Sequence, residues 1–369
     1  MLFPYTYVPH KMEKMQAYID FIFFQVWCKA RDGDYAVDTL FSDQAELQAL
    51  ITELHTSEVK GADFFLTGLQ QVFEDFKLLT DAQIDQLKRW YRSNNNIESV
   101  CSCGDDVEPA VYGDVSTISD DLSKHLRGFF KNLYSHSFLS LKSVREMIGN
   151  IDDHYHQFMT TNSKGKCPFC GIHDIKGIYH SNRDAYDHYL PKDKYPFNTI
   201  NFRNLAPACP ECNSSYKLTT NPVFECKTPI TSGDGAKRKA FYPYCKTEYH
   251  LELNIKLDMN NGAKITPDDI VLSVGPEEHG EQIATWMDVY GIDERYKAKC
   301  SGENDGRYWI EQVIDECQND GKTPEEIFTT LTRQARLRPF AETNFLKRPF
   351  LEACDRAGLF DKSLLCKEE

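Results

Sequence analysis

The chain has 369 residues, 56 of them Asp or Glu and 42 Lys or Arg, for a formal net charge of −14. Taken whole, that balance argues against a protein coated with nucleic-acid-binding charge, and 41% hydrophobic with 12% aromatic side chains excludes general disorder. The densest apolar stretch, Ile19 to Val26, is interrupted by Asp20 and Gln25 and falls far short of the roughly 20 residues of a spanning helix. No membrane partner is expected, and with no basic, cleavable leader pattern at the start the expected location is the cytoplasm.

Residues 1–160 carry 14 basic and 24 acidic side chains. They read as a helical N-terminal domain, because apolar residues recur every three or four positions: Met12, Met15, Ile19, Ile22, Val26, then Leu47, Leu50, Ile51, Leu54. Asp43 with Glu46 and Thr80 with Gln83 have capping-box spacing ahead of helices expected near 44–56 and 81–93. Asn94-Asn95-Asn96 and Gly104 to Gly113 read as loops, with further helices near 118–135 and 140–160. His154 and His156, two apart on a helix, face different ways, so a solvated helix end is expected there rather than a metal cluster.

Residues 161–240 reverse the charge, with 12 basic and 7 acidic side chains. A polyanion finds its attractive surface there. Four of the 13 cysteines form two C-x-x-C pairs, Cys167-Pro-Phe-Cys170 and Cys209-Pro-Glu-Cys212, with 38 residues between them. Four thiolates so paired suit one tetrahedral Zn²⁺ in a closed, structural site. The remaining nine, Cys28, Cys101, Cys103, Cys226, Cys245, Cys300, Cys317, Cys354 and Cys366, read as small apolar residues. Tyr195-Pro-Phe197 and Phe241-Tyr-Pro-Tyr244 fit either base stacking or the core of the supporting sheet; core is the plainer reading.

After residue 240 the alternation in Tyr249 to Leu257 predicts a strand, placing Leu251, Leu253, Ile255 and Leu257 on one face. Helical spacing returns at Ile283, Trp286, Met287 and Tyr290, and Pro324 opens a further helix at a position that suits proline. The expected organisation is therefore a helical domain over 1–160, a zinc-stabilised domain with trailing strands over 161–260, and a helical domain over 261–369. The fold class is α+β, mainly helical.

Between and just after the cysteine pairs stand Asp187-His188, Asn204-Leu205 and Asn213-Ser-Ser-Tyr-Lys217. Together and in this order with the zinc pairs, they resemble the HNH endonuclease family over about residues 165–220. The resemblance implies a ββα-metal finger: a strand through 186–190, a return strand before Asn204, and a helix from about 210 to 218. It also implies His188 as general base, Asn204 as the residue bracing the loop that orients it, and Asp187 and Asn213 as ligands of Mg²⁺ or Mn²⁺. The chemistry of the residues agrees, since carboxylate and amide oxygens suit Mg²⁺ and an imidazole suits proton abstraction near neutral pH. Asn213 stands where many members have His, a variant that favours Mg²⁺ or Mn²⁺ over softer ions. Lys192, Lys194, Arg203 and Lys217 are candidates for gripping substrate phosphates.

The expected activity is hydrolysis of DNA phosphodiester bonds. The wording around Tyr186 to Lys192 and Phe241 to Tyr244 further resembles the HNH subunits that Septu-type anti-phage systems pair with an ATPase, which implies such a partner. The alternative is a non-catalytic zinc module that binds nucleic acid or protein. On that reading Asp187 caps a turn or pairs with Lys192, His188 is packed, and Asn213 caps a helix.

Overall fold

The computed structural model describes residues 1–56, 61–225, 231–258 and 265–361. Cys226 and Cys366 lie outside the described residues. The chain forms two compact units, the larger from Pro4–Gly165 and Ile175–Lys246, the smaller from Met1–Phe3, Lys166–Asp174 and Thr247–Glu369. No helix of the described residues is long and apolar enough to cross a membrane.

In the larger unit helices dominate: α1 (Glu13–Phe21), α2 (Ala45–Thr56), α3 (Asp63–Lys77), α4 (Asp81–Asn95), α5 (Tyr112–Ile118), α6 (Asp120–Leu133), α7 (Lys142–Ile148) and α8 (Ile151–Thr161). Their apolar faces meet around Trp27, Phe65, Phe73, Phe76, Phe129 and Phe130, all essentially inaccessible. Each such aromatic contributes about 2–3 kcal/mol on removal from water. α3 and α6 approach closely because Gly68 has no side chain: a Cβ there would stand 2.8 Å from the Phe129 ring. Thr80 and Gln83 close the expected capping box at the start of α4.

The helix expected near 118–135 is α6, and it starts at Asp120 because Ser119 leaves helical geometry and caps it through the Leu122 amide; α5 ends just before it. The one near 140–160 breaks at Gly149, whose φ of +89° favours glycine. Asn94 and Asn95, expected in a loop, are instead the last residues of α4. The reason is tertiary. The Asn94 amide donates to the carbonyls of Ala110 at 2.8 Å and Pro196 at 3.0 Å and accepts from the Ala110 amide at 2.9 Å, all out of water.

Against these helices lies a small antiparallel hairpin, β1 (Tyr186–His188) with β2 (Leu205–Pro207), in which His188 faces Leu205 and Tyr186 faces Pro207. β2 follows Asn204 rather than preceding it, and β1 stops at His188, because the Asn204 side chain takes over the Leu190 backbone groups that a longer ladder would use. A short helical stretch follows, wound wide over Cys212–Lys217 and ending where Leu218 turns to φ +46°.

In the smaller unit β3 (Glu252–Leu257) pairs antiparallel with β4 (Ile270–Gly275). The expected alternation holds, Ile255 being buried between exposed Asn254 and Lys256. α9 (Gly280–Tyr290), α10 (Ile292–Ser301), α11 (Tyr308–Asn319), α12 (Pro324–Leu337) and α13 (Asn344–Arg356) complete it, with Arg356 donating to the Ile255 carbonyl at 2.8 Å. α12 opens with proline in its first turn and a Thr323–Glu326 capping box. Among the described residues the architecture is thus mainly helical, with two small sheets.

Candidate metal-finger site

The site begins with two turns. In the first knuckle the Cys167 amide donates to the His173 carbonyl at 2.9 Å and the Gly171 amide to the Cys167 carbonyl at 2.7 Å. Gly171 sits at φ +68°, where a Cβ would stand 2.3 Å from Leu2 and 2.8 Å from Phe345, so only glycine fits. Trp286 and Tyr296 hold this turn by donating to the Phe169 and Cys170 carbonyls at 2.6 and 2.8 Å. In the second knuckle the Cys212 amide donates to the Cys209 sulfur at 3.4 Å. The four sulfurs of Cys167, Cys170, Cys209 and Cys212 are all buried and lie within 4.8 Å of one another. A tetrahedral Zn²⁺ with Zn–S of about 2.3 Å sets its sulfurs about 3.8 Å apart, so the donor set fits that ion. Of the scattered cysteines, Cys101, Cys300 and Cys354 are buried and the others described are half-buried, as small apolar residues should be.

Alternation along β1 sends Tyr186 and His188 to one face and Asp187 to the other. The Tyr186 hydroxyl meets His154 Nδ1 on α8, and His154 Nε2 lies 3.3 Å from the Val8 carbonyl. His154 is therefore buried in the packing between α8 and the hairpin, not part of the solvated helix end expected from its spacing with His156.

His188 Nε2 lies 2.9 Å from the Thr199 carbonyl. A carbonyl only accepts, so Nε2 carries the hydrogen and Nδ1 carries the lone pair. The imidazole packs edge-on against Tyr134, just beyond α6, with ring centres 4.8 Å apart, and Lys192 Nζ stands 5.7 Å from the same tyrosine ring. Burial first, and then the Lys192 charge, push its pKa down to about 3, below the near-neutral value expected. His188 is thus held as the neutral tautomer.

Asn204, fully buried, is the brace. Its Oδ1 accepts from the Leu190 amide at 2.7 Å, while its Nδ2 donates to the carbonyls of Leu190 at 3.0 Å and Asn198 at 3.4 Å. It ties both ends of the 190–204 loop, and that loop carries the Thr199 carbonyl. A second clamp comes from α4: Asn198 donates to the Asn94 carbonyl at 3.1 Å and Asn201 to Asn95 Oδ1 at 3.0 Å. Tyr195 and Phe197 of this loop are fully buried, as are Phe241, Tyr242 and Tyr244 nearby, so these aromatics are core.

Asp187 points at the finger helix. Its Oδ1 accepts from Lys217 Nζ at 3.0 Å, its Oδ2 is buried without a partner, and burial holds its carboxyl above the usual range against the pull of Lys217. Lys217 therefore departs from the expected place at the mouth of the site. It is fully buried, its ammonium shared with the His188 carbonyl at 2.8 Å, and no phosphate reaches it in this arrangement. Asn213 lies half-buried four residues earlier on the same short helix. Arg203 is exposed with its guanidinium 4.3 Å from the Tyr7 ring centre, and Lys192 and Lys194 are half-exposed. A groove of about 730 Å³ opens beside Tyr134 and Tyr186, with Arg145, Arg183, His156 and His180 among its walls.

Sequence spacing alone did not reveal Tyr134, Thr199 or Asn94. Tyr134, just past the end of α6, and Asn94, on α4, are remote in sequence, and Thr199 acts through a backbone oxygen that every residue possesses.

Two known proteins are similar to short stretches of this chain. The Septu protein PtuB of Bacillus thuringiensis is 39% identical over 51 residues, 14% of this chain and 19% of that protein. Protein ea31 of Escherichia phage lambda is 39% identical over 64 residues, 17% of this chain and 19% of that protein. In each case the chain spans about a fifth of its relative. No family model matches the chain, and no solved structure matches it.

Proposed function

We propose that the chain is a metal-dependent nuclease that hydrolyses DNA phosphodiester bonds at the β1–β2 finger. The observation that carries this reading is the convergence of Asp187, His188, Asn204 and the Asn213 helix in one unit, with the lone pair of His188 confined to Nδ1. A structural zinc knuckle needs none of these.

Asp187 Oδ2 and the Asn213 amide oxygen are the hard donors that would hold a Mg²⁺ or Mn²⁺, and the unpartnered Oδ2 is the buried oxygen such an ion requires. When bound, the ion supplies positive charge to the phosphoryl oxygens. His188 Nδ1 takes the proton of a water attacking phosphorus, while the Thr199 carbonyl and the Asn204 brace keep the ring from turning. An arriving phosphate anion raises the basicity of His188 by opposing the charge of Lys192. Lys192, Lys194 and Arg203 remain the phosphate contacts in this reading, and by family resemblance the products carry a 5′-phosphate and a 3′-hydroxyl. The test is plasmid cleavage with Mg²⁺ or Mn²⁺: His188→Ala should lower the rate by about 100-fold or more with zinc content unchanged. Nicking at the wild-type rate would sink the assignment.

The similarity to PtuB accords with the resemblance of the finger to Septu-type subunits, and we extend the proposal to an anti-phage defence role beside an ATPase partner. Co-expression with neighbouring gene products should give a complex larger than this chain. A chain that stays alone and fully active counts against a partner. The buried Lys217–Asp187 pair also gives Asp187 a purely structural employment, which favours a zinc module without catalysis as the second reading. Complete absence of cleavage on every nucleic acid offered, with the zinc in place, would select it.

A further inference from the structure

Lys217 is the last residue of the finger helix, and none of its side chain is exposed. An ammonium out of water is costly unless its donors are used, and here two of the three meet Asp187 Oδ1 at 3.0 Å and the His188 carbonyl at 2.8 Å. The same carboxylate keeps Oδ2 buried and unpartnered. The carboxylate thus has one oxygen committed to a cation supplied by the chain and one oxygen open. A second cation on the open oxygen would share the carboxylate with the ammonium, and like charges this close in a poorly solvated site repel strongly.

We infer that Lys217 is an internal cation that competes with divalent metal for Asp187, so that the finger loads metal only as the ammonium withdraws. The inference rests on the nuclease reading for its metal, but its own content is the exclusion of one cation by another. The helix ends at Lys217, and Leu218 beyond it is 57% exposed, so the four-carbon stem has a route out that breaks no further helical turn. A site held this way is silent at low metal activity. Whatever pulls Lys217 away, an arriving phosphate included, becomes the step that arms it.

The test measures metal binding and not cleavage. Mn²⁺ is titrated calorimetrically into the full chain, its zinc in place, and into Lys217→Met and Lys217→Gln, with Asp187→Asn marking the site. Both neutral variants should bind Mn²⁺ at least about tenfold more tightly than wild type, and Asp187→Asn should abolish that binding. Equal or weaker binding in the neutral variants overturns the inference, as does no Mn²⁺ binding in any of them. Should the variants lose their zinc or their circular dichroism, ¹⁵N-lysine spectra of the wild type decide instead. The protected Lys217 ammonium signal should disappear into fast solvent exchange on Mg²⁺ addition, and its persistence at saturating Mg²⁺ overturns the inference. Cleavage is read separately. Tenfold tighter binding in a protein that never cuts keeps Lys217 as the competitor and sinks the nuclease reading, whereas a wild type that cuts but binds Mn²⁺ as well as the variants does the reverse.

Discussion

At the scale of single residues, two buried histidines are held neutral by burial, and their hydrogen-bond partners select the tautomer of each. His154 donates from Nε2 to the Val8 carbonyl and accepts at Nδ1 from the Tyr186 hydroxyl, so one tautomer satisfies both contacts. Burial, and then the nearby His10, lower its pKa to about 4. In the unfolded chain it titrates near the ordinary value of about 6.5, so between those values the unfolded state binds more protons. Stability from this group is complete above about pH 6.5 and drains as pH falls toward 4, at up to about 1.4 kcal/mol per pH unit. Urea unfolding at pH 7 and pH 5 should show that loss in the wild type and a flatter profile in His154→Gln. Identical pH profiles for the two proteins would remove His154 from the account.

At the scale of elements, the finger is positioned by a clamp it does not contain. The end of α4 reaches the 190–204 loop through Asn94 and Asn95, and that loop sets the carbonyl that orients His188. Asn94→Ala leaves the Ala110 amide and two buried carbonyls without their side-chain partner. It should cost about 1–3 kcal/mol of stability, seen as a lower urea midpoint at unchanged slope. A change within a few tenths of a kcal/mol would show the clamp to be dispensable. The triple asparagine reads as a loop because Asn elsewhere turns its side chain onto its own backbone. Here remote backbone groups claim those amides, and the helix runs on. The same cause moves β2: Asn204 hydrogen-bonds the Leu190 backbone, so pairing starts only at Leu205.

At the scale of the whole chain, the charge of −14 is the sum of two acidic stretches and one basic stretch of 80 residues that contains all four knuckle cysteines. Elemental analysis should find one zinc per chain, lost in Cys209→Ser, and a zinc chelator should lower the unfolding midpoint, since metal binding free energy is folding free energy. A zinc-free protein of unchanged midpoint would leave the four thiols as ordinary core. On the proposed reading the acidic flanks would weaken general DNA affinity, which is the reason a partner is proposed with the activity.

The two cysteine pairs were legible in the sequence because a zinc knuckle is a local rule, whereas Asp187, His188, Asn204 and Asn213 were singled out by resemblance to the HNH family. The capping box at Thr80 was legible because it too is a local rule. Only the tertiary structure decided that Lys217 lies on Asp187 rather than at the mouth of the site, that His154 is core, and that α4 holds the loop behind His188. Each of those depends on which groups lose water together. That is a property of packing between residues 30 to 104 positions apart, and no spacing within the chain encodes it.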